Sequence, residues 1–273
     1  MGVIGAILGD IAGSRWEFAS NPQMGPRKTH TYTLFSDYSY PTDDTIMLVA
    51  CVDACHHHAN FSKYYRKYGR LYPDATYGEN FRRWIQSTFQ GPYNSFGNGS
   101  AMRCSYVGQY YPMKKIERFA AKSAACTHNH PEGIKGAVTL AKCVRMAEDG
   151  NTKRQILDFG CGMYPRTQYP YSCEIPVAEY IDSIRYDVSC QGSVPVEIRC
   201  FYETESLEEC LYIINRRSID TDTVGAIAGA ICDSFYGTSE KDISIVRQYL
   251  GNEEFKPLLM ILEKYGLLAA SHK

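Results

Sequence analysis

Two short acidic runs carry residue types suited to chemistry at a metal. Thr42-Asp43-Asp44-Thr45 stands just ahead of an apolar run that begins at Ile46, and Asp220-Thr221-Asp222-Thr223 stands ahead of Val224-Gly225-Ala226-Ile227-Ala228-Gly229. Each alone reads as an ordinary helix start, because threonine is a good N-cap and aspartate in a first turn complements the helix dipole. Together they offer four carboxylates and several hydroxyls. Such hard oxygen donors suit Mg²⁺, Mn²⁺ or Ca²⁺ and not Zn²⁺. Without a cation, four adjacent carboxylates repel one another and their pKa values rise. Two divalent ions would relieve that repulsion, activate a water at neutral pH and clamp substrate oxygens. This reading requires two segments far apart in sequence to meet in space.

Two further segments point the same way. Gly97-Asn98-Gly99-Ser100-Ala101-Met102-Arg103 reads alone equally well as an Asn-Gly turn before a helix, but its glycines also let backbone N–H groups approach an anion such as a pyrophosphate. It is not the dinucleotide fingerprint, since no strand precedes it and the glycine spacing differs. Near the start, Gly5, Gly9 and Gly13 recur every four residues, which puts them on one helix face where a neighbouring helix can pack closely. Glu17 follows in a position able to face a site. Gly225, Ala226, Ala228, Gly229 and Ala230 would give the second acidic head the same capacity for close packing.

The elements that must position these residues are helices. Ile134, Ala137, Val138, Ala141, Val144 and Ala147 repeat at helical spacing, with Pro131 near the start and Gly150 at the end. Similar patterns follow Thr42 and Asp222. Ser206 with Glu209 forms a capping box, and Met113–Cys126 and Glu253–Leu268 read as amphipathic helices. Ser193–Thr204 alternates β-branched and polar residues and reads as a strand; Thr29–Tyr40 reads as a loop or short hairpin. Strands and helices do not alternate, which argues against a parallel α/β sheet. There is no repeat, low-complexity tract or linker, so residues 1–273 are expected to form a single domain.

Composition excludes several classes. The chain has 273 residues, 44% of them apolar, with Lys+Arg 29 against Asp+Glu 30. A net charge of −1 gives no electrostatic basis for general nucleic-acid or membrane-surface binding. The apolar start is interrupted by Asp10 and is too short to span a bilayer. Eleven cysteines, an odd number in a chain of this length, are read as reduced thiols, and the protein as cytoplasmic. Cys51, Cys55 and His56-His57-His58 suggest a soft-metal site. No second ligand pair follows at zinc spacing, so buried helix packing accounts for them better.

Gly9-Asp10 with Glu17, Thr42-Asp43-Asp44-Thr45, Gly97–Arg103, Thr127-His128 and Asp220-Thr221-Asp222-Thr223, in this order, resemble the ADP-ribosylglycohydrolase family. That family includes the dinitrogenase-reductase-activating glycohydrolases and the ADP-ribosyl-arginine and ADP-ribosyl-serine hydrolases. The resemblance implies an all-α fold, a compact orthogonal helical bundle with a binuclear metal cleft holding two Mg²⁺ or Mn²⁺. By position, Thr42, Asp43, Asp44, Asp220, Asp222 and Thr223 resemble the metal ligands. Asn98, Gly99, Ser100, Met102 and His128 resemble the residues that bind ADP-ribose. Glu17, and after it Asp43, would move the proton. The implied activity is hydrolysis of the glycosidic bond between ADP-ribose and an acceptor. The expected acceptor is a mono-ADP-ribosylated protein, with arginine linkage slightly favoured, and the expected state a monomer. A non-catalytic ADP-ribose binder of the same fold is the alternative, and a metal phosphoesterase a third reading. The family usually has Gly-Gly before the second acidic run, where this chain has Ser218-Ile219 after Arg216-Arg217; this favours a remodelled turn and questions the placement of Asp220. Phe18–Tyr40 and Gly160–Cys173 are the expected rim loops.

Overall fold

The computed structural model describes residues 2–17, 33–87, 90–181, 187–215 and 220–272. Among them are fifteen helices: α1 (Gly2–Glu17), α2 (Asp43–Cys55), α3 (Phe61–Leu71), α4 (Glu79–Gln86), α5 (Gly99–Met102), α6 (Ser105–Tyr110), α7 (Met113–Ala125), α8 (Pro131–Glu148), α9 (Lys153–Met163), α10 (Val177–Ile181), α11 (Cys190–Glu203), α12 (Leu207–Asn215), α13 (Thr221–Tyr236), α14 (Glu240–Leu250) and α15 (Lys256–Lys264). Two strands, β1 (Gly237–Thr238) and β2 (Ser271–His272), pair antiparallel with Gly237 opposite His272. The fold is all-α, as expected. No helix among the described residues is long and apolar enough to cross a membrane.

The central relationship is the antiparallel contact of α1 with α13. A methyl built on Gly5 would stand 2.2 Å from the Gly229 carbonyl oxygen, on Gly9 1.9 Å from that of Gly225, and on Gly13 2.1 Å from that of Thr221. The two backbones therefore touch along three turns, and only glycine on α1 allows it. The far end is fixed by Asp233 of α13, whose Oδ2 accepts the Gly5 N–H at 3.0 Å and whose Oδ1 accepts the Thr238 hydroxyl. Because the helices run in opposite directions, the C-terminal end of α1 lies against the N-terminal end of α13. Glu17 is thereby delivered to Asp220 and Asp222. Around this pair Ile4, Ile7, Leu8 and Ile11 of α1, Met47 and Leu48 of α2, and Ile227 and Ile231 of α13 are buried. Full burial of one such side chain contributes about 1.5–3 kcal/mol relative to exposure.

Local signals explain most boundaries. His130 caps α8 by accepting the Glu132 N–H, Pro131 opens the helix, and Gly150 follows it at φ +79°. Ser206 accepts the Glu209 N–H at 3.1 Å, as expected, but the Glu209 carboxylate reaches back to the N–H of Glu205. The C-terminal helix is shorter than its pattern: Pro257 sits in its first turn, and Gly266, at φ +67°, lies just past its end.

The expected strand at Ser193–Thr204 is instead most of α11. Ser189 caps this helix by accepting the Gly192 N–H at 3.1 Å. The alternation misled because Ser193 and Glu197, the polar members of its first half, are as deeply buried as Val194, Val196 and Ile198. The described part of Thr29–Tyr40, residues 33–40, contains no strand, and residues 29–32 lie outside the described residues. Cys51 and Cys55 are buried on α2. His56 stacks on Tyr265 at 3.8 Å and bonds the Tyr106 hydroxyl, while His57 bonds the Asp53 carbonyl. This is helix packing, as read.

Candidate active site

The head of α2 hangs from a carboxylate on α1. Asp10 Oδ2 accepts the N–H groups of Thr42 and Thr45, both at 3.0 Å, and the Thr45 hydroxyl; Oδ1 accepts the Thr42 hydroxyl at 2.7 Å. Thr42 is also the N-cap of α2, taking the Asp44 N–H at 3.2 Å. Sequence reasoning gave Asp10 no role of its own. The available signal was a lone aspartate in an apolar, glycine-rich helix, a charge that can be buried only when fully hydrogen-bonded. Asp43 and Asp44 follow in the first turn. Asp43 accepts the Thr76 hydroxyl at 2.7 Å, another contact the spacing of the sequence did not reveal.

The head of α13 is held from three directions. The Asn98 side chain donates to Asp220 Oδ2 at 2.6 Å and to Ser193 Oγ at 3.1 Å. The Thr221 hydroxyl donates to the Gly13 carbonyl at 2.8 Å. Thr223 gives its N–H to Asp222 Oδ1 at 2.9 Å and its hydroxyl to Asp44 Oδ2 at 3.1 Å. The two acidic heads thus meet directly. Arg216, Arg217, Ser218 and Ile219 lie outside the described residues, but Asp220 itself sits in the cluster.

Carboxylate oxygens form two triads. Asp10, Asp44 and Asp222 offer oxygens all within 4.8 Å of one another, as do Glu17, Asp220 and Asp222, so Asp222 belongs to both. Burial raises every one of these groups. Asp10 and Asp220 are each pushed up to about 6, both chiefly by desolvation and both against the pull of hydrogen bonds. Glu17 is pushed up to about 7 by desolvation, with the charges of Asp220, Asp43 and Asp10 adding to it. Asp44 and Asp222 are driven well above the carboxylate range by desolvation and by their acidic neighbours. Asp43 rises as well, for the same first cause. Asp44 Oδ1 and Glu17 Oε2 are buried without a hydrogen-bond partner among the described residues. Crowded, desolvated carboxylates with orphaned oxygens are a donor set that hard divalent cations fit.

The triads lie against a cleft of about 460 Å³ whose lining includes Glu17, Asp43, Asp44, Asp220, Asp222 and Thr223 together with Gly97, Asn98, Gly99, Met102 and His128. Cavities of roughly 300–1,000 Å³ are typical of small-molecule sites. The expected substrate residues divide into groups. Gly99, Met102 and His128 face the cleft, and Asn98 lines it while its amide orients Asp220. Ser100 is fully buried, its hydroxyl donated to the Gly133 carbonyl at 2.7 Å, so the side chain docks α5 on α8 and does not line the cleft. Thr42, with its hydroxyl donated to Asp10, does not line this cleft and borders the neighbouring cavity instead. Of the expected rim loops, residues 18–32 lie outside the described residues. Gly160–Cys173 does not line the cleft; Tyr169 ties it to Glu132 at the start of α8.

Comparisons with known proteins bear on the family and the fold. A family model described as ADP-ribosylglycohydrolase matches residues 1–258. The human protein ADP-ribosylhydrolase ARH3 is 25% identical, the match covering 95% of this chain and 91% of that one. The ADP-ribosyl-[dinitrogen reductase] glycohydrolase of Rhodospirillum rubrum is 24% identical over 58% of this chain and 53% of its own. A solved structure described as an ADP-ribosylglycohydrolase-related protein complex superposes with a TM-score of 0.69 at 18% identity, covering 96% of this chain and 95% of that one, and so shares the fold. ADP-ribosylglycohydrolases are hydrolases that act on glycosyl bonds, and this chain belongs to that family.

Proposed function

We propose that this protein frees ADP-ribose from a mono-ADP-ribosylated protein, with arginine linkage preferred, and that two Mg²⁺ or Mn²⁺ ions serve the reaction. The observation that carries this reading is the pair of carboxylate triads sharing Asp222 beside a cleft that the Gly97–Gly99 loop also lines. Asp43, Asp44, Asp220 and Asp222, with the hydroxyls of Thr42 and Thr223, would hold the ions, and Asp10 would keep the α2 head in place. Bound divalent cations would supply a water nucleophile at neutral pH and hold substrate oxygens. Gly97 and Gly99 line the cleft without side chains of their own, beside His128, so that a diphosphate can approach their backbone. Glu17, poised near neutrality, would move the proton, with Asp43 the second candidate. The carboxylates also stabilise the positive charge that develops on the ribose as the glycosidic bond breaks. A guanidinium acceptor meets this acidic lining more favourably than a hydroxyl does, which is the basis for preferring arginine. The protein would act as a single-domain monomer.

The test is incubation with ADP-ribosyl-arginine and ADP-ribosyl-serine peptides, with and without Mg²⁺. Metal-dependent release of ADP-ribose supports the proposal. Release of AMP identifies a phosphoesterase instead, and tight binding of ADP-ribose without turnover identifies a non-catalytic reader.

A further inference from the structure

Arg103 is fully buried, and among the described residues no carboxylate forms an ion pair with it. Its guanidinium lies over the Tyr65 ring at 4.3 Å and donates to the Ser123 carbonyl at 3.2 Å and to Thr127 Oγ1 at 2.7 Å. Thr127, also fully buried, lies 2.7 Å from His128 Nδ1 through the same oxygen. The other ring nitrogen, Nε2, faces the loop across the cleft wall. It stands 3.5 Å and 3.4 Å from where side chains on Gly97 and Gly99 would begin.

The cation at the head of this chain favours one tautomer. A guanidinium can only donate, so it occupies one lone pair of Thr127 Oγ1. A hydrogen on His128 Nδ1 would point a second N–H at the oxygen that the Arg103 cation already occupies. The adjacent positive charge also polarises the Thr127 O–H into a better donor, which favours Nδ1 as its acceptor. An imidazole whose Nδ1 accepts carries its hydrogen on Nε2. We propose that Arg103 and Thr127 are positioning residues that hold His128 as an uncharged Nε2–H donor, aimed at a phosphate oxygen of a ligand lying over Gly97–Gly99. Burial and the Arg103 charge, which both push the His128 pKa well below its ordinary value, act in the same direction. The identity of the ligand rests on the reading given above; the tautomer does not.

The experiment has two independent arms on the full chain. Nitrogen-15 NMR of histidine-labelled protein at neutral pH, with the His128 signals assigned by comparison with His128→Gln, reads the tautomer without any ligand. The expected result is hydrogen on Nε2 alone in the wild type, a mixed or reversed tautomer in Thr127→Val, and restoration in Thr127→Ser. Calorimetry with ADP-ribose should show affinity falling about tenfold in Thr127→Val, the size of one lost hydrogen bond, and recovering in Thr127→Ser. Hydrogen on Nδ1 in the wild type overturns the proposal, and that arm decides the matter even if Thr127→Val fails to fold. An unchanged tautomer and affinity in a folded Thr127→Val also overturns it. Failure of the wild type to bind ADP-ribose, with the Nε2–H tautomer present, counts against the ligand assignment and leaves the positioning chain standing.

Discussion

The hydroxyl of Thr223 on α13 donates to Asp44 on α2 at 3.1 Å, joining residues 179 positions apart. This bond is the direct meeting of the two acidic helix heads. It exists because the Gly5–Gly9–Gly13 face lets α1 lie against α13 while Asp10 of the same helix grips α2. One helix therefore sets both halves of the site, and disturbing it at any of several points has distinct, measurable consequences.

Asp10→Asn keeps the shape of the side chain but loses half of its accepting capacity. Four hydrogen bonds converge on the Asp10 carboxylate. We expect a loss of about 1–3 kcal/mol in stability by denaturant titration. Affinity for Mg²⁺ should fall on the order of 10–100-fold, as for other residues that orient metal ligands. An unchanged Mg²⁺ affinity would show that Asp10 does not organise the α2 head.

Gly9→Ala should be among the most damaging small changes in the chain. The added methyl would stand 1.9 Å from the Gly225 carbonyl oxygen, so the helices must separate. Overpacking of this kind costs about 1–3 kcal/mol, and more where backbone is the obstacle. Gly162→Ala, on α9 with open space at the same distance, should instead gain up to about 1 kcal/mol. Thermal melts of the two variants should move in opposite directions.

The site's carboxylates make stability depend on pH and metal together. Asp10 and Asp220 titrate at about 6 and Glu17 at about 7 in the folded protein, against ordinary values near 4 in an unfolded chain. Folded pKa values are raised, so the folded state holds extra protons between about pH 4 and 7. Stability of the metal-free protein therefore falls as pH rises through that window, and the penalty is absent below it. Mg²⁺ competes with those protons, so it should raise Tm little at pH 5 and markedly at pH 8. Melting curves with and without Mg²⁺ across this range test the sign; an equal shift at every pH would contradict it.

Glu17→Gln separates proton transfer from assembly. We expect kcat to fall about 10²–10⁴-fold with KM little changed. The Mg²⁺-dependent rise in Tm should be reduced less than in Asp222→Asn, because Glu17 belongs to one triad and Asp222 to both. Loss of the whole Tm response in Glu17→Gln would make it a ligand first and an acid–base group second.

Much of this architecture was readable because it is written in short local patterns. The glycine face of α1, the two acidic heads, the cap at Thr42 and the Gly97–Gly99 loop all fall within a few residues. What escaped was what depends on long-range partners. Asp10 looked like an interruption in an apolar run until its four hydrogen bonds to the α2 head were seen. Thr76 and Arg103 carry no local mark of facing the cleft. Ser193–Thr204 was misread because residues 192–198 of α11 are buried without a break, which erases the contrast between apolar and polar positions on which periodicity depends. The side chain of Ser100 docks its helix instead of meeting the cleft, a distinction of rotamer and neighbour that sequence does not encode locally.

The most direct test of the central claim is a titration of Mn²⁺ into the metal-free protein, counting bound ions by calorimetry and by paramagnetic resonance. The account predicts two ions per chain, close enough to couple magnetically, and the loss of both in Asp222→Asn because that carboxylate serves both triads. A single ion in the wild type, or one site left at full affinity in Asp222→Asn, would contradict it.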